Sequence, residues 1–187
     1  MTDSQREGRA SGYVVALSVF GAALLFGLIV LPWLGRHTKR PSSPLVGNPA
    51  ADFMLPAISG EPAGKQLRLS DQQGKTVLLD FFASWCGPCR QQAPIVERVA
   101  QRIGAQSLSV FAVDTSDQRA DVEHYLEEHR PPYPVLFDGD NQAAEAFGVT
   151  GLPTLIVIDK GGIVRALEMR VVGDRELEDL VREAQGK

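Results

Sequence analysis

Cys86 and Cys89 are the residues of this chain whose types and spacing point most directly to chemistry. They are the only cysteines among 187 residues, and Gly87 and Pro88 separate them. Two thiols at this spacing can close a disulfide or open to a dithiol. A helix that begins at this point lowers the pKa of the first thiol, because its N-terminus favours the thiolate. The spacing therefore predicts that Cys86 attacks a substrate disulfide and that Cys89 then displaces the reduced substrate.

The segments on either side of the two cysteines predict a strand, a tight turn and a helix. Residues 77–82 form an apolar run that is typical of a strand buried on both faces, and Asp80 is the one acid in it. The apolar residues after the turn share one helical face: Ile95, Val99 and Ile103. Asp80 would lie beneath the turn, where apolar surroundings raise the pKa of its carboxyl. We therefore expect it to accept the Cys89 proton near neutral pH.

The totals argue against several other kinds of site. A net charge of −4 lacks the excess of basic residues that is typical of nucleic-acid-binding proteins. Both cysteines belong to one motif, so no structural disulfide framework is expected. His37, His124 and His129 are too few and too scattered to complete a metal site with the cysteines, and we expect no metal and no cofactor. For His129 we favour a partly buried residue at the end of a helix over a ligand.

The sequence around the cysteines resembles that of thioredoxin. The resemblance rests on the motif WCGPC at residues 85–89, on Asp80 six residues before Cys86, and on Pro94 five residues after Cys89. It implies a redox-active disulfide between the two cysteines. It also implies an active-site loop made of three further residues: Trp85, Gly87 and Pro88.

A second element of the resemblance is the segment 151–154, Gly-Leu-Pro-Thr, which is similar to the family's cis-proline loop. In thioredoxins that proline lies against the two cysteines, and the backbone beside it pairs with the substrate peptide. The resemblance therefore implies a cis peptide bond before Pro153 and substrate binding by Leu152 and Pro153.

The rest of the chain resembles the TlpA/ResA group of thioredoxin-like proteins. Residues 45–55 resemble the opening of that group and of peroxiredoxins, and candidate strands at 52–55 and 66–69 predict an N-terminal hairpin. Between Val113 and Pro153 the pattern contains one helix and one strand more than a minimal thioredoxin, as in the TlpA/ResA insertion. The expected class is α/β: a thioredoxin fold whose mixed central sheet has helices on both faces, with the added hairpin and the inserted helix and strand.

The elements after the active-site helix are predicted from hydrophobic periodicity and from the residues that begin or end helices and strands. They are a strand at 108–113, a helix capped by Ser116 and running through His129, a strand at 135–137, a short helix at 143–147, strands at 155–158 and 163–172 around a turn at 159–162, and a closing helix introduced by Gly173 and Asp174.

A long apolar segment precedes the predicted domain. Residues 13–34 contain no charged side chain, and the segment is long enough to cross a bilayer as one helix. Tyr13 and Trp33 lie at its ends. Basic residues follow it where a signal peptide would have a small-residue cleavage site, so we expect an uncleaved anchor. The predicted organisation is a tail at 1–12, a transmembrane helix at 13–34, a linker at 35–47 and the thioredoxin-like domain at 48–187.

Two arguments about the side of the membrane on which the domain lies oppose each other. Basic residues flank the segment on both sides, and the positive-inside rule alone slightly favours a cytoplasmic domain. The resemblance implies the opposite, because membrane-anchored thioredoxins of this layout face the periplasm or the outer surface. We expect a single-pass protein of the inner, or cytoplasmic, membrane with its catalytic domain outside.

The direction of electron flow follows from the loop composition. Gly87 and Pro88 are the thioredoxin dipeptide and Asp80 is the thioredoxin acid, which favours a reductant, near about −270 mV, over a strong oxidant, near about −120 mV. The resemblance implies a membrane electron donor of the DsbD/CcdA type and protein disulfides as substrates, in cytochrome c maturation or oxidase assembly. ResA-like proteins often use a further acid in the inserted region. No residue here maps onto it, and Asp80 itself departs from ResA.

Two alternatives to a thiol-disulfide oxidoreductase remain at this stage. A peroxidase is the first, because peroxiredoxins share the scaffold. Their proline and threonine or serine ahead of the cysteine are absent here, where Leu79 and Ala83 stand. The second is a binding or chaperone module in which catalysis is incidental, and the complete pair of Cys86 and Cys89 argues against it.

Overall fold

The structure, a computed structural model, describes residues 43–61 and 63–186 of the chain. The predicted tail and the predicted membrane helix at 13–34 lie outside these residues. In the part of the chain that the structure does describe, no helix is both long and apolar enough to cross a membrane.

One mixed sheet contains the strands of the described residues. They are β1 (Met54–Ser59), β2 (Gln66–Arg68), β3 (Thr76–Phe82), β4 (Leu108–Thr115), β5 (Val135–Asp138), β6 (Thr154–Ile158) and β7 (Val164–Glu168). Their order across the sheet is β2-β1-β5-β4-β3-β6-β7. Strands β3, β4 and β5 are parallel, whereas β6 runs antiparallel to β3. The carboxyl ends of β3, β4 and β5 therefore meet at the edge where β6 begins.

The described part of the chain has four α-helices, three between strands and the last after β7. They are α1 (Gly87–Ile103), α2 (Arg119–Glu128), α3 (Gln142–Ala146) and α4 (Asp174–Gln185), and a short 3-10 turn covers Leu69–Gln72. Pro88 stands in the first turn of α1, where its missing N–H costs no hydrogen bond. Gly104 ends α1 with φ at 88°, a conformation that favours glycine.

Strand β3 is buried on both faces and separates two layers of core, as its apolar sequence predicts. Leu78 and Phe82 belong to the core that lies against α1, α2 and α4. Leu79 and Phe81 belong to the core on the other face, against α3. The predicted sheet with helices on both faces is confirmed. Because side chains alternate along a strand, Asp80 lies on the same face as Leu78 and Phe82, beneath α1.

The N-terminal hairpin and the inserted elements are both present. Strands β1 and β2 pair antiparallel, with Leu55 opposite Leu67. The insertion consists of α2 and β5, and β5 pairs parallel to β4 on one side and antiparallel to β1 on the other. The inserted strand thus joins the N-terminal hairpin to the rest of the sheet.

Several predicted boundaries are wrong, and at three of them a side chain takes a backbone partner. Ser116 does not cap α2, which begins at Arg119; Ser116 has φ at 70°, and its N–H donates to Asn141 Oδ1 at 3.1 Å. Strand β1 begins at Met54 because Asp52 instead accepts the Ser70 N–H at 2.9 Å. Strand β7 ends at Glu168, well before Val172, whose N–H donates to the side chain of Gln92.

Candidate active site

The two cysteines lie at the junction of β3 and α1. Cys86 occupies the N-cap of α1, and its Sγ accepts the backbone N–H of Cys89 at 3.2 Å. The two Sγ atoms are 2.04 Å apart, so the residues form a disulfide. The first turn of α1 contains no acidic side chain, so nothing in that turn offsets the positive end of the helix dipole. In the dithiol form this dipole and the Cys89 N–H both favour a thiolate at Cys86.

Exposure differs sharply between the cysteines and the residue before them. Cys86 and Cys89 are 3% and 5% exposed, whereas Trp85 is 65% exposed. Accessibility in the disulfide form therefore does not rank the two sulfurs, and the N-cap position is what distinguishes Cys86. Trp85 does not pack into the core, so its ring is free to contact another molecule at this surface.

The start of the active-site loop is held by residues that the sequence patterns did not single out. The carboxylate of Asp117 accepts the Ser84 N–H at 2.6 Å and the Ser84 hydroxyl at 3.1 Å. The guanidinium of Arg90 donates to the Ser84 carbonyl oxygen at 3.0 Å. Asp117 lies 33 residues from Ser84 in sequence, so no local motif reveals the contact. The position of Ser84, two residues before Cys86, is therefore fixed from two elements.

A second missed contact joins α1 to the segment before α4. Gln92 is fully buried, and its side-chain amide both accepts the Val172 N–H at 2.7 Å and donates to the Val172 carbonyl at 3.3 Å. A buried amide that pairs both backbone groups of one residue acts like a rung of a sheet ladder. Gln92 thus holds the helix that carries the cysteines against the C-terminal part of the fold.

Asp80 lies beneath this turn. It is buried, and no described residue donates a hydrogen bond to its Oδ1 atom. Burial penalises the charged form and raises the pKa of the Asp80 carboxyl from 3.8 to about 7. A group with this pKa is present in both protonation states near neutral pH, which is the property that a proton acceptor requires.

A cavity of about 350 Å³ reaches both Asp80 and Cys89. Its apolar wall includes Phe82, Ala93 and Tyr125, with Tyr125 contributed by the inserted helix α2. The cavity is large enough to hold water, which requires polar partners, and the unpaired carboxyl of Asp80 is such a partner. It therefore offers a route by which a proton can leave Asp80 without crossing the core.

The proline loop lies at the same edge of the sheet. The peptide bond between Leu152 and Pro153 is cis, as the resemblance implied, and Pro153 is buried. It directly precedes β6, whose first residue Thr154 pairs with Phe81 of β3. This register brings the loop to the end of β3 from which the active-site turn departs.

His129 differs from its predicted state. It follows the last residue of α2, is exposed rather than partly buried, and its ring stacks on Tyr125 with centroids 4.1 Å apart. Within residues 43–61 and 63–186, no group of three or more His, Cys, Asp or Glu side chains is arranged to hold a metal ion.

Comparison with known proteins agrees with this geometry. Residues 46–167 match the model of the AhpC/TSA family. The chain is 32% identical to the thiol-disulfide oxidoreductase ResA of Geobacillus thermodenitrificans over 135 residues, which are 72% of this chain and 74% of the relative. It is 33% identical to the thioredoxin-like protein YneN of Bacillus subtilis over 145 residues, covering 76% and 82% of the two chains.

Solved structures give the same result. The crystal structure of a thiol:disulfide interchange protein DsbE from Chlorobium tepidum is similar with a TM-score of 0.66 and 33% identity, over 74% of this chain and 96% of that one. The sequence match, the fold and the cysteine pair at the start of α1 agree with one another. The chain belongs to the AhpC/TSA family and, within it, to the thioredoxin-like thiol-disulfide oxidoreductases of the ResA type.

Proposed function

We propose that this oxidoreductase reduces disulfides of extracytoplasmic proteins through a cycle of Cys86 and Cys89. The observation that carries the proposal is the Cys86–Cys89 disulfide at the N-terminus of α1, above a buried carboxyl with a pKa of about 7. The names of its relatives, thiol-disulfide oxidoreductase and thiol:disulfide interchange protein, support the same chemistry.

The reaction starts from the dithiol. The Cys86 thiolate attacks one sulfur of the substrate disulfide, so that a mixed disulfide forms and the other substrate sulfur leaves as a thiolate. Asp80 takes the proton of the Cys89 thiol, and the Cys89 sulfur attacks Cys86 Sγ. The substrate leaves with both sulfurs reduced, and the Cys86–Cys89 disulfide carries the two electron equivalents of oxidation.

The proline loop serves this cycle as the substrate platform. The backbone of Leu152 pairs with the substrate strand beside the disulfide, and Pro153 keeps the loop next to the cysteines. Support comes from the buried cis proline at the edge of the sheet where β3 ends. Trp85, with Gly87 and Pro88, completes the exposed rim that meets the substrate.

Trapping distinguishes the two cysteines. The Cys89→Ser variant is expected to accumulate a mixed disulfide with a peptide disulfide, because Cys86 attacks but nothing displaces the product. The Cys86→Ser variant is the matched control and is expected to form no such adduct. Mass spectrometry of both reactions decides the order, and an adduct on Cys89 alone would reverse the assigned roles. Consumption of hydrogen peroxide by the dithiol protein, without peptide reduction, would instead support a peroxidase.

The midpoint potential tests the direction of electron flow. A redox titration in glutathione and dithiothreitol buffers, followed by thiol alkylation, is expected to give a value near or below about −250 mV, as for a reductant. A midpoint near about −120 mV would identify an oxidant that introduces disulfides.

Location and electron supply complete the proposal. We propose that residues 13–34 anchor the protein in the cytoplasmic membrane with the domain outside, and that a donor of the DsbD/CcdA type re-reduces it. Cytochrome c maturation and oxidase assembly are the tasks that fit such a reductant. Support comes from the uncharged apolar run and from the similarity to ResA. Membrane fractionation and protease digestion of intact and lysed spheroplasts, in which the cytoplasmic membrane is exposed, test it. Digestion of the domain only after the membrane is opened would place it inside.

A further inference from the structure

A second buried carboxyl lies close to the active-site loop, at the end of strand β4. Asp114 is fully buried, and it pairs in the sheet register with Phe82, the last residue of β3. No described residue donates a hydrogen bond to either of its carboxyl oxygens. An anion in this position would be both desolvated and unpaired, which is strongly unfavourable.

The two titratable groups that act on Asp114 are both carboxyl groups. Asp117, from the segment between β4 and α2, is close enough to Asp114 to share a proton with it, and Asp138, at the end of β5, also acts on Asp114 through its charge. The carboxylate of Asp138 already binds the start of α3, because it accepts the N–H groups of Ala143 and Ala144 at 3.1 Å and 2.9 Å. Burial and these two acids raise the pKa of Asp114 to about 9. Two carboxyl groups can share a hydrogen bond only if one of them carries a proton, and the fully buried Asp114, to whose oxygens no described residue donates, is the one that favours keeping it.

Asp117 connects this pair to the active-site loop. Its two oxygens accept the N–H and the hydroxyl of Ser84 at 2.6 Å and 3.1 Å. Ser84 directly precedes Trp85 and Cys86, so its position sets where the loop enters the N-cap of α1. Asp117 is only 6% exposed, which excludes most of the water that would otherwise compete for Ser84.

We infer that Asp114 and Asp117 form a proton-sharing carboxyl pair that positions Ser84 and, through it, the attacking cysteine Cys86. The inference rests on the proposed role of Cys86. Both acids are positioning residues, because neither is placed to touch the reacting sulfurs. When Asp114 loses its proton, two adjacent anions repel each other and the hold on Ser84 weakens. The rate of attack by Cys86 therefore falls at alkaline pH for a reason that lies outside the cysteines.

The test compares single variants of the full-length dithiol protein. The rate constant for reduction of a peptide disulfide is measured from pH 6 to pH 10. Asp117→Asn is expected to lower it at pH 7 by about tenfold, since small displacements of a reacting group are costly. Asp121→Asn makes the same change at an exposed acid of α2 whose side chain makes no hydrogen bond or ion pair within the described residues, and is expected to match the wild type.

The pH profile separates positioning from a purely structural role. Asp114→Asn keeps a donor toward Asp117 and cannot ionise, so the ratio of rates at pH 7 and pH 10 is expected to be smaller than in the wild type. Thermal unfolding of each variant is recorded alongside. A loss of stability with wild-type rates and profile in the folded protein would overturn the inference.

Cys86→Ser separates the inference from the proposed function. If this variant still reduces the peptide, the proposed role of Cys86 fails, and the positioning of Cys86 fails with it. If Cys86→Ser is inert while Asp117→Asn reacts as fast as Asp121→Asn, the proposed function stands and the positioning pair alone is wrong.

Discussion

Two aspartates at opposite ends of neighbouring strands are equally hidden from solvent and have opposite protonation behaviour. Asp80 in β3 and Asp159 after β6 are each 4% exposed. Asp159 accepts the N–H groups of Gly161 and Ile163 at 2.8 Å and 2.9 Å and pairs with Arg165 at 2.6 Å. Those donors outweigh burial and lower the pKa of Asp159, whereas burial alone acts on Asp80 and raises its pKa to about 7.

The difference teaches that hydrogen-bond donors, together with how deeply the carboxyl lies in the core, decide what a buried acid does. At the hairpin end the carboxylate of Asp159 organises the turn between β6 and β7 and contributes stability. At the active-site end no described residue donates a hydrogen bond to Asp80 Oδ1, so the carboxyl costs stability as an anion and remains able to exchange a proton. The fold carries an unfavourable group where chemistry needs it and a satisfied one where it does not.

The largest expected effect is the pH dependence of stability caused by Asp80. Its folded-state pKa lies above the unfolded value, so the native protein keeps a proton that the unfolded chain releases between about pH 4 and about pH 7. Stability from this group is fully present below pH 4, falls as the pH rises through that window, and is constant above it. The loss is about 4 kcal/mol, at 1.36 kcal/mol for each pKa unit.

Urea unfolding of the wild type and of Asp80→Asn across this range isolates the contribution, since the variant lacks the titration. The variant is expected to be the more stable protein at pH 8. Parallel curves for the two proteins would mean that Asp80 titrates normally in the fold, and the contrast with Asp159 would disappear.

The second effect is kinetic. Asp80→Asn is expected to slow the resolving step by on the order of a hundredfold, because a neutral amide cannot accept the Cys89 proton. Stopped-flow decay of the mixed disulfide measures that step, and formation of the mixed disulfide by Cys86 serves as the internal control. Unchanged decay would show that water alone removes the proton.

The third effect is on stability at the other end of the sheet. Asp159→Ala leaves two N–H groups and Arg165 without their acceptor and is expected to destabilise the protein by about 2 kcal/mol. Its reduction rate is expected to remain that of the wild type. The wild type is also expected to lose this contribution as the pH falls through the lowered pKa of Asp159, below about pH 4. A stable variant with altered catalysis would contradict the division between the two ends.

The smallest expected effect concerns Trp85. Because its ring is 65% exposed, Trp85→Ala is expected to change the free energy of unfolding by less than about 0.5 kcal/mol. The KM for the peptide disulfide is expected to rise, since the ring belongs to the rim proposed to meet the substrate. A large loss of stability would show that Trp85 supports the fold rather than the encounter.

The sequence was sufficient for the features that depend on neighbours along the chain. The apolar run at 77–82 predicted the buried strand that carries Asp80, and the helical spacing of Ile95, Val99 and Ile103 predicted a helix that begins at the two cysteines. The contacts made across the fold were beyond it. Asp117 reaches Ser84 over 33 residues, and Gln92 reaches Val172 over 80. Nothing in the sequence around Asp117 or Gln92 distinguishes these polar residues from ordinary surface residues.

The wrong boundaries have the same origin. Ser116 has the residue type of a helix cap, yet Asn141 holds its backbone from another loop. The cavity beside Asp80 also escaped prediction, since Tyr125 of the inserted helix forms part of its wall. Local pattern predicts elements well, whereas polar contacts between distant elements decide where they end.

The double hydrogen bond between Gln92 and Val172 has an experimental consequence. The Val172 amide proton is shielded by a side chain of α1 rather than by the backbone of a neighbouring strand. Its hydrogen–deuterium exchange therefore follows how firmly α1 is seated against the C-terminal segment. Comparing this one amide in the disulfide and dithiol states reports, at a site remote in sequence from both cysteines, whether the redox cycle loosens the helix that carries them.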